Sequence, residues 1–315
     1  MSVILKFRDF ESLEHYIERW RPDSEMVHPL LSAAVWCNAD QVRIVATRCG
    51  VVNAVDKTGK GPMHYAVYES RPGVIKLLHD LGVDVDAVDK KGKTPLYLAA
   101  MIVDVESAEQ LIALNSKGCS MRTHTGRTPL MRLCKSEYFP DDSELFDLLL
   151  GNCPELVDAV DDKGWTALHY AVTCTNQKPV ELLHAAGSRA FNMRTVVGYA
   201  PLHLAAINGD KEMAKLLHRC GSDLDVLDDG GCTPMHIAAQ LYDFKPLVMC
   251  LIKLGSRAYW MKDNYGKRPR DYMMTNKVDA KKIEQYVASW STLATLRIAA
   301  DVFRRTRARI NFGEK

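Results

Sequence analysis

No stretch of this chain approaches the roughly eighteen consecutive apolar residues that a membrane span requires, so no segment is expected to cross a bilayer. The opening Met1-Ser2-Val3-Ile4-Leu5-Lys6 lacks the basic start and small-residue cleavage site of a secretory leader. The nine cysteines are odd in number and contain no Cys-x-x-Cys pair, which argues against a disulfide framework and against a zinc site. Reduced, buried thiols in an intracellular protein, cytoplasmic or nuclear, are the expectation. An excess of one charge is also missing: the formal net charge is +2, so no nucleic acid is expected as the partner of the whole chain. Signatures of catalysis are absent too, with no nucleophile elbow, Walker loop or HExxH. Neither an enzyme nor a cofactor is expected.

What the chain has instead is self-similarity. Gly198-Tyr199-Ala200-Pro201-Leu202-His203-Leu204-Ala205-Ala206 returns as Gly231-Cys232-Thr233-Pro234-Met235-His236-Ile237-Ala238-Ala239, as Gly92-Lys93-Thr94-Pro95-Leu96-Tyr97-Leu98-Ala99-Ala100 and as Gly164-Trp165-Thr166-Ala167-Leu168-His169-Tyr170-Ala171. Weaker copies begin at Gly59, Gly126 and Gly266, and His28-Pro29-Leu30 is a degraded first one. Aligned on the proline position, the copies fall at residues 29, 62, 95, 129, 167, 201, 234 and 269, in steps of 33, 33, 34, 38, 34, 33 and 35. A self-similar period of this length is the signature of a stacked repeat.

A period near thirty-three that carries T-P-L-H-x-A resembles the ankyrin repeat, over roughly residues 28–272. The resemblance implies an all-α repeat solenoid of about seven to eight helix-turn-helix-hairpin units with terminal capping helices. The expected organisation is an N-terminal capping helix at 1–27, the array at 28–272, and an amphipathic, Arg-rich helical tail at 273–315. The resemblance also implies that His64, His169, His203 and His236 are architectural, making hydrogen bonds that hold neighbouring hairpins.

Within a repeat the chemistry is local. Pro201 suits a first helical turn, where a missing N–H costs nothing, and Leu202, Leu204, Ala205 and Ala206 supply a short apolar helix. Asn208-Gly209-Asp210 turns the chain, Met213, Leu216 and Leu217 mark a second helix, and Gly221 ends it. Arms such as Gly82-Val83-Asp84-Val85-Asp86-Ala87-Val88-Asp89 alternate apolar and acidic residues, a pattern that predicts half-buried extended strand. Two arms put Arg122 and Arg194 where the others are read as carrying Asp.

The step of 38 marks an insertion between helices at residues 135–143, where Tyr138 and Phe139 either form a contact site or fold back on the adjacent helix. Phe10, Leu13, Tyr16, Ile17 and Trp20 draw a helical stripe before the array, read either as a cap or as a separate partner-binding helix. In the tail, Tyr286, Trp290, Leu293, Leu296, Ala300 and Phe303 draw another, read as a cap, a partner-binding element or a membrane-surface helix. Ser291-Thr292-Leu293-Ala294-Thr295-Leu296 resembles the start of the box in the ankyrin and SOCS box family, although Arg297 and Asp301 depart from its pattern. That resemblance implies a substrate-recognition subunit of a cullin-type ubiquitin ligase as the alternative function.

The leading expectation is a non-catalytic adaptor or scaffold that holds one protein partner on hairpin tips and the concave face. The variable residue after each tip glycine is Lys60, Lys93 and Arg127, then Trp165, Tyr199 and Cys232, then Lys267, with Tyr265 beside it. Basic tips leading to aromatic ones suit a partner segment with acidic residues and an apolar anchor. Trp165 and Tyr199 are the expected anchors, unless their rings lie on their own hairpins.

Overall fold

A computed structural model describes residues 10–20, 28–136, 139, 144–241, 243–273 and 281–288. Among them there are helices and turns and no β-strand. The chain divides into two compact units, Met1–Val196 and Val197–Lys315.

The first unit opens with α1 (Phe10–Arg19), followed by helix pairs: α2 (Pro29–Trp36) with α3 (Ala39–Cys49), α4 (Pro62–Tyr68) with α5 (Pro72–Asp80), and α6 (Pro95–Ile102) with α7 (Val105–Ala113). Then come α8 (Pro129–Cys134) with α9 (Glu144–Asn152) and α10 (Ala167–Thr173) with α11 (Gln177–Ala185). First helices stack on first helices, from α2 through α4, α6 and α8 to α10, while α3, α5, α7 and α9 stack as a second layer. Their burial follows from that placement. A first helix is enclosed on several sides, so Pro95 to Ala100 are all buried, whereas in α5 only Val74, Ile75, Leu77 and Leu78 are. Each enclosed leucine contributes about 1.5–3 kcal/mol, more than so short a helix can gain from its own hydrogen bonds.

Local chemistry starts each first helix. Thr94 and Thr128 side-chain oxygens accept from Tyr97 N and Met131 N at 3.1 and 3.2 Å, just ahead of Pro95 and Pro129. Arg71 ties repeats together from the side, donating to the carbonyl oxygens of Ala34 and Cys37 at the end of α2. Helix α1 packs on α2 and α3, with Leu13 buried and Glu14 3.0 Å from Arg48. Trp20 is buried with its ring 4.6 Å from that of His28, so it is not the exposed ring that a separate partner-binding helix would present.

The arms differ from the sequence expectation. They are turns, and the acidic residues are clasps: Asp86 accepts from Ser116 Oγ at 2.6 Å and Lys117 N at 2.9 Å, and Asp158 from Ser188 Oγ at 2.6 Å and Arg189 N at 2.9 Å. Backbone pairing between hairpins is confined to the tips, where Lys90 N reaches Thr58 O, His124 N reaches Lys91 O, and Asp162 N reaches Thr125 O. One bond per neighbour is no ladder, and side-chain carboxylates take over the work that strand pairing was expected to do. At Gly92, φ is +72° and an added Cβ would stand 2.7 Å from His124 N, so the close approach of the next tip requires glycine there.

The second unit repeats the plan with α12 (Pro201–Ile207), α13 (Lys211–Arg219), α14 (Pro234–Ala238), α15 (Lys245–Leu254) and α16 (Pro269–Tyr272). Here α12, α14 and α16 stack in sequence and α13 packs on α15. Asp225 clasps Ser256 Oγ at 2.5 Å and Arg257 N at 2.9 Å. Residues 281–288 are helical, with Ile283 and Val287 buried and Glu284 3.7 Å from Arg270. No helix among the described residues is long and apolar enough to cross a membrane.

Candidate interaction surface

Six hairpin tips are each organised around one acceptor side chain. Asp56 Oδ1 accepts from Thr58 N and Lys60 N, Asp89 from Lys91 N and Lys93 N, and Asp161 from Lys163 N and Trp165 N, all at 2.7–2.9 Å. Asp228 and Asp263 do the same in the second unit. The backbone after each tip glycine is thereby fixed while its side chain is left to vary. At Thr123 the hydroxyl substitutes, accepting from Arg127 N at 3.1 Å. This corrects the register of the arms. Thr123, four residues before Arg127, holds the place of Asp89 before Lys93, so Arg122 stands where Val88 and Val160 stand and donates to Val160 O at 2.6 Å.

Histidines tie α4, α12 and α14 to the next hairpin. His64 Nδ1 accepts from Gly61 N at 3.2 Å and its Nε2 lies 3.0 Å from Lys93 O. In the second unit His203 pairs with Ala200 N and Cys232 O, at 3.1 and 3.0 Å, and His236 with Thr233 N and Lys267 O, at 3.1 and 3.2 Å. An Nδ1 that accepts and an Nε2 that faces a carbonyl require the neutral imidazole with its proton on Nε2. Burial lowers the pKa of His64 and His236 in the same sense. All nine cysteines are free, and burial raises the thiol pKa of Cys134, of Cys119 and, to about 11, of Cys232.

In the first unit the expected contact residues sit on tyrosines. Lys60 Nζ is 5.9 Å from the Tyr68 ring, Lys93 Nζ 5.6 Å from Tyr97, and the Arg127 guanidinium 5.3 Å from Tyr170. Lys135 Nζ lies 5.5 Å from the same Tyr170 ring. Trp165 is half-buried, 5.1 Å from Tyr170 and 6.0 Å from His169, so its ring rests on its own helix. Phe139 likewise turns back, edge-on to Phe146 of α9 at 6.3 Å. In the second unit Tyr199 is half-buried, 5.9 Å from His203, while Tyr265 is 82% exposed at its tip. Tyr138, Trp290, Leu293, Leu296 and Phe303 lie outside the described residues.

One set of links was missed in the sequence. Tyr65, Tyr170 and Tyr272 each donate a phenol hydrogen bond to the tip aspartate nine residues earlier, Asp56, Asp161 and Asp263. Burial, and then the bond to Asp161, raise the pKa of Tyr170. The thrice-repeated Asp-to-Tyr spacing was the available signal.

The family described as "Ankyrin repeats (3 copies)" matches residues 103–195 and 202–277, and "Ankyrin repeats (many copies)" matches residues 63–112. The chain belongs to the ankyrin repeat family. Ankyrin repeats are protein-interaction modules, and the histidine tethers and clasped tips are this chain's version of that framework. It is 29% identical over 178 residues to the E3 ubiquitin-protein ligase KEG of Arabidopsis thaliana, covering 54% of this chain and 10% of that protein. With NF-kappa-B inhibitor alpha of Gallus gallus it shares 42% identity over 83 residues, 25% of this chain and 26% of that one. The chain thus spans a minor part of either relative. The crystal structure of the human ASB11 ankyrin repeat domain superposes with a TM-score of 0.60 at 21% identity, covering 72% of this chain and 98% of that one, a likeness of fold.

Proposed function

We propose that this ankyrin repeat protein is a non-catalytic adaptor that holds a protein partner on the hairpin tips and exposed ends of its first helices. The observation that carries this reading is the tip design. An acceptor side chain fixes the backbone of the tips at Asp56, Asp89, Thr123, Asp161, Asp228 and Asp263, and the neutral His64, His203 and His236 tether their helices to the next hairpin, while the residue after the glycine changes from Lys60 and Lys93 to Arg127 and Trp165, and from Tyr199 and Cys232 to Lys267. Rigid presentation of varied side chains lowers the entropy cost of binding. Action inside the cell, where free thiols persist, belongs to the same proposal. The test is affinity capture with the full chain, with a Trp165→Ala, Tyr199→Ala double variant, and with a chain ending at Asp279. A partner retained by the truncated chain and lost by a folded double variant supports tip recognition. A partner indifferent to the double variant removes it.

A second reading makes the chain the substrate-recognition part of a ubiquitin ligase. It is favoured by the match of 54% of the chain to a plant protein named as an E3 ubiquitin-protein ligase. Cullin-type ligase subunits that co-purify with the chain, and disappear when residues 291–315 are deleted, are its expected outcome. Their absence from the intact chain removes it.

A further inference from the structure

The repeat that begins at Thr123 differs in two ways at once from the hairpins at Asp56 and Asp161. In the hairpins at Asp56 and Asp161 a carboxylate is present and receives a phenol from the residue nine places on, Tyr65 or Tyr170. Here the acceptor is a neutral threonine, and the residue nine places on is Arg132. A cation thus occupies the position that elsewhere reaches a hairpin carboxylate, and the carboxylate is gone. Arg132 is half-buried and makes no side-chain hydrogen bond or ion pair among the described residues.

Its surroundings add to the imbalance. Lys93 lies near enough that burial, and then Lys91, Lys60 and Arg132 against the opposing Asp89, leave its pKa lowered. Lys135, exposed, and Arg127, half-buried, flank the same Tyr170 ring. Arg127 is 3.6 Å from Asp161 Oδ2, so one local carboxylate is already engaged, and the Tyr97 ring lies under Lys93, near enough to feel the charges of Arg127 and Arg132.

We infer that Arg132 is an acceptor-seeking site completed in trans, and that the carboxylate absent from Thr123 is supplied by an aspartate or glutamate side chain of the bound partner. This rests on the reading of the chain as a protein-binding array and names the chemistry of the partner there. A guanidinium takes a carboxylate through two parallel hydrogen bonds, and Lys93 and Lys135 extend the attraction to neighbouring acidic residues. The tip aspartates Asp56, Asp89 and Asp161 make the face mixed in sign, which disfavours a continuous polyanion and favours an acidic peptide segment.

The test uses the intact chain and a displayed library of random twelve-residue peptides. Enriched peptides are expected to carry more Asp and Glu than the library and to bind less tightly as salt rises. Their affinity, read by fluorescence polarisation, is expected to fall about tenfold with Thr123→Asp, which supplies the carboxylate in cis, and similarly with Arg132→Gln. Thr123→Asp should melt no lower than the parent, which separates competition from misfolding. Enriched peptides without acidic excess, or affinities unchanged in both variants, overturn the inference. If such peptides still lose binding in the Trp165→Ala, Tyr199→Ala variant, the array reading stands without it. Failure to enrich any peptide removes both. Equal binding of a single-stranded oligonucleotide that Thr123→Asp abolishes assigns the site to phosphodiester and overturns the peptide.

Discussion

The first-helix faces of the two units share a framework and differ in what they display. Three residues past the helix-opening position the first unit has Ser32, Tyr65, Leu98, Arg132 and Tyr170, and the second has Leu204, Ile237 and Tyr272. Cations over tyrosines are frequent in the first unit, at Tyr68, Tyr97 and Tyr170, whereas the second has Lys267 over Tyr272, at 5.1 Å. The tethers do not differ: His64 and His203 make the same pair of bonds. What is repeated builds the array, and under the proposed function what is not repeated chooses the partner, so a mutation's expected class is readable from whether its residue recurs.

The largest expected effect comes from breaking a recurring element that is also charged. Asp161 accepts from two backbone N–H groups and from Tyr170, and faces Arg127. Asp161→Ala should destabilise the first unit by about 3 kcal/mol, because it leaves a half-buried cation and three donors without their acceptor. Thr123→Ala, at the equivalent neutral tip, should cost about 1 kcal/mol. Urea unfolding followed by amide exchange in each unit measures both, and equal costs would refute the distinction between the tips.

Next come the tethers themselves. His64→Ala and His203→Ala should each cost about 2 kcal/mol, since each removes two hydrogen bonds and leaves a buried group unpaired. Exchange protection should fall first in the unit that carries the substitution. Similar losses in both units would confirm that the framework is shared, and a large inequality would break the comparison.

These elements were legible in the sequence because each is local. Proline at the first turn, threonine before it, glycine at the tip and histidine two residues after the proline all sit within one repeat. The arms were misread because alternation of apolar and acidic residues is as consistent with a turn bearing a clasp as with a strand. The partner of Asp86 is Ser116, thirty residues on, and no local pattern points to it. For Trp165 and Tyr199 the sequence left two readings open, partner anchors or rings lying on their own hairpins. Trp165 rests on Tyr170, five residues further along its own helix, and the sequence does not say whether such a ring folds down or stands out.

Acid should erode both units in the same direction. The neutral histidines have folded pKa values below the ordinary 6.5, so the unfolded chain takes protons first. Their stabilisation is complete above about pH 6.5 and is lost as pH falls from there toward the depressed folded values. His28, buried against Trp20, is lowered to about 4 by burial, so its share is lost between about 6.5 and 4 in the first unit. Urea midpoints at pH 7, 6 and 5 should decline in that order, and a flat series would contradict the neutral assignment.

The smallest stability effect sharpens the contrast between an aromatic that is held and one that is displayed. Trp165 is in contact with Tyr170 and His169, so Trp165→Ala should cost about 1–2 kcal/mol of stability in addition to any loss of binding. Tyr265 is 82% exposed, and Tyr265→Ala should leave stability within about 0.5 kcal/mol of the parent. If Tyr265 contributes to recognition, its loss appears in binding alone, as faster dissociation without a shift in melting. Because Trp165 packs on Tyr170, its replacement by tyrosine, which keeps a ring there, should restore most of the stability. Whether binding returns with it then separates the ring's role as support from its role as contact.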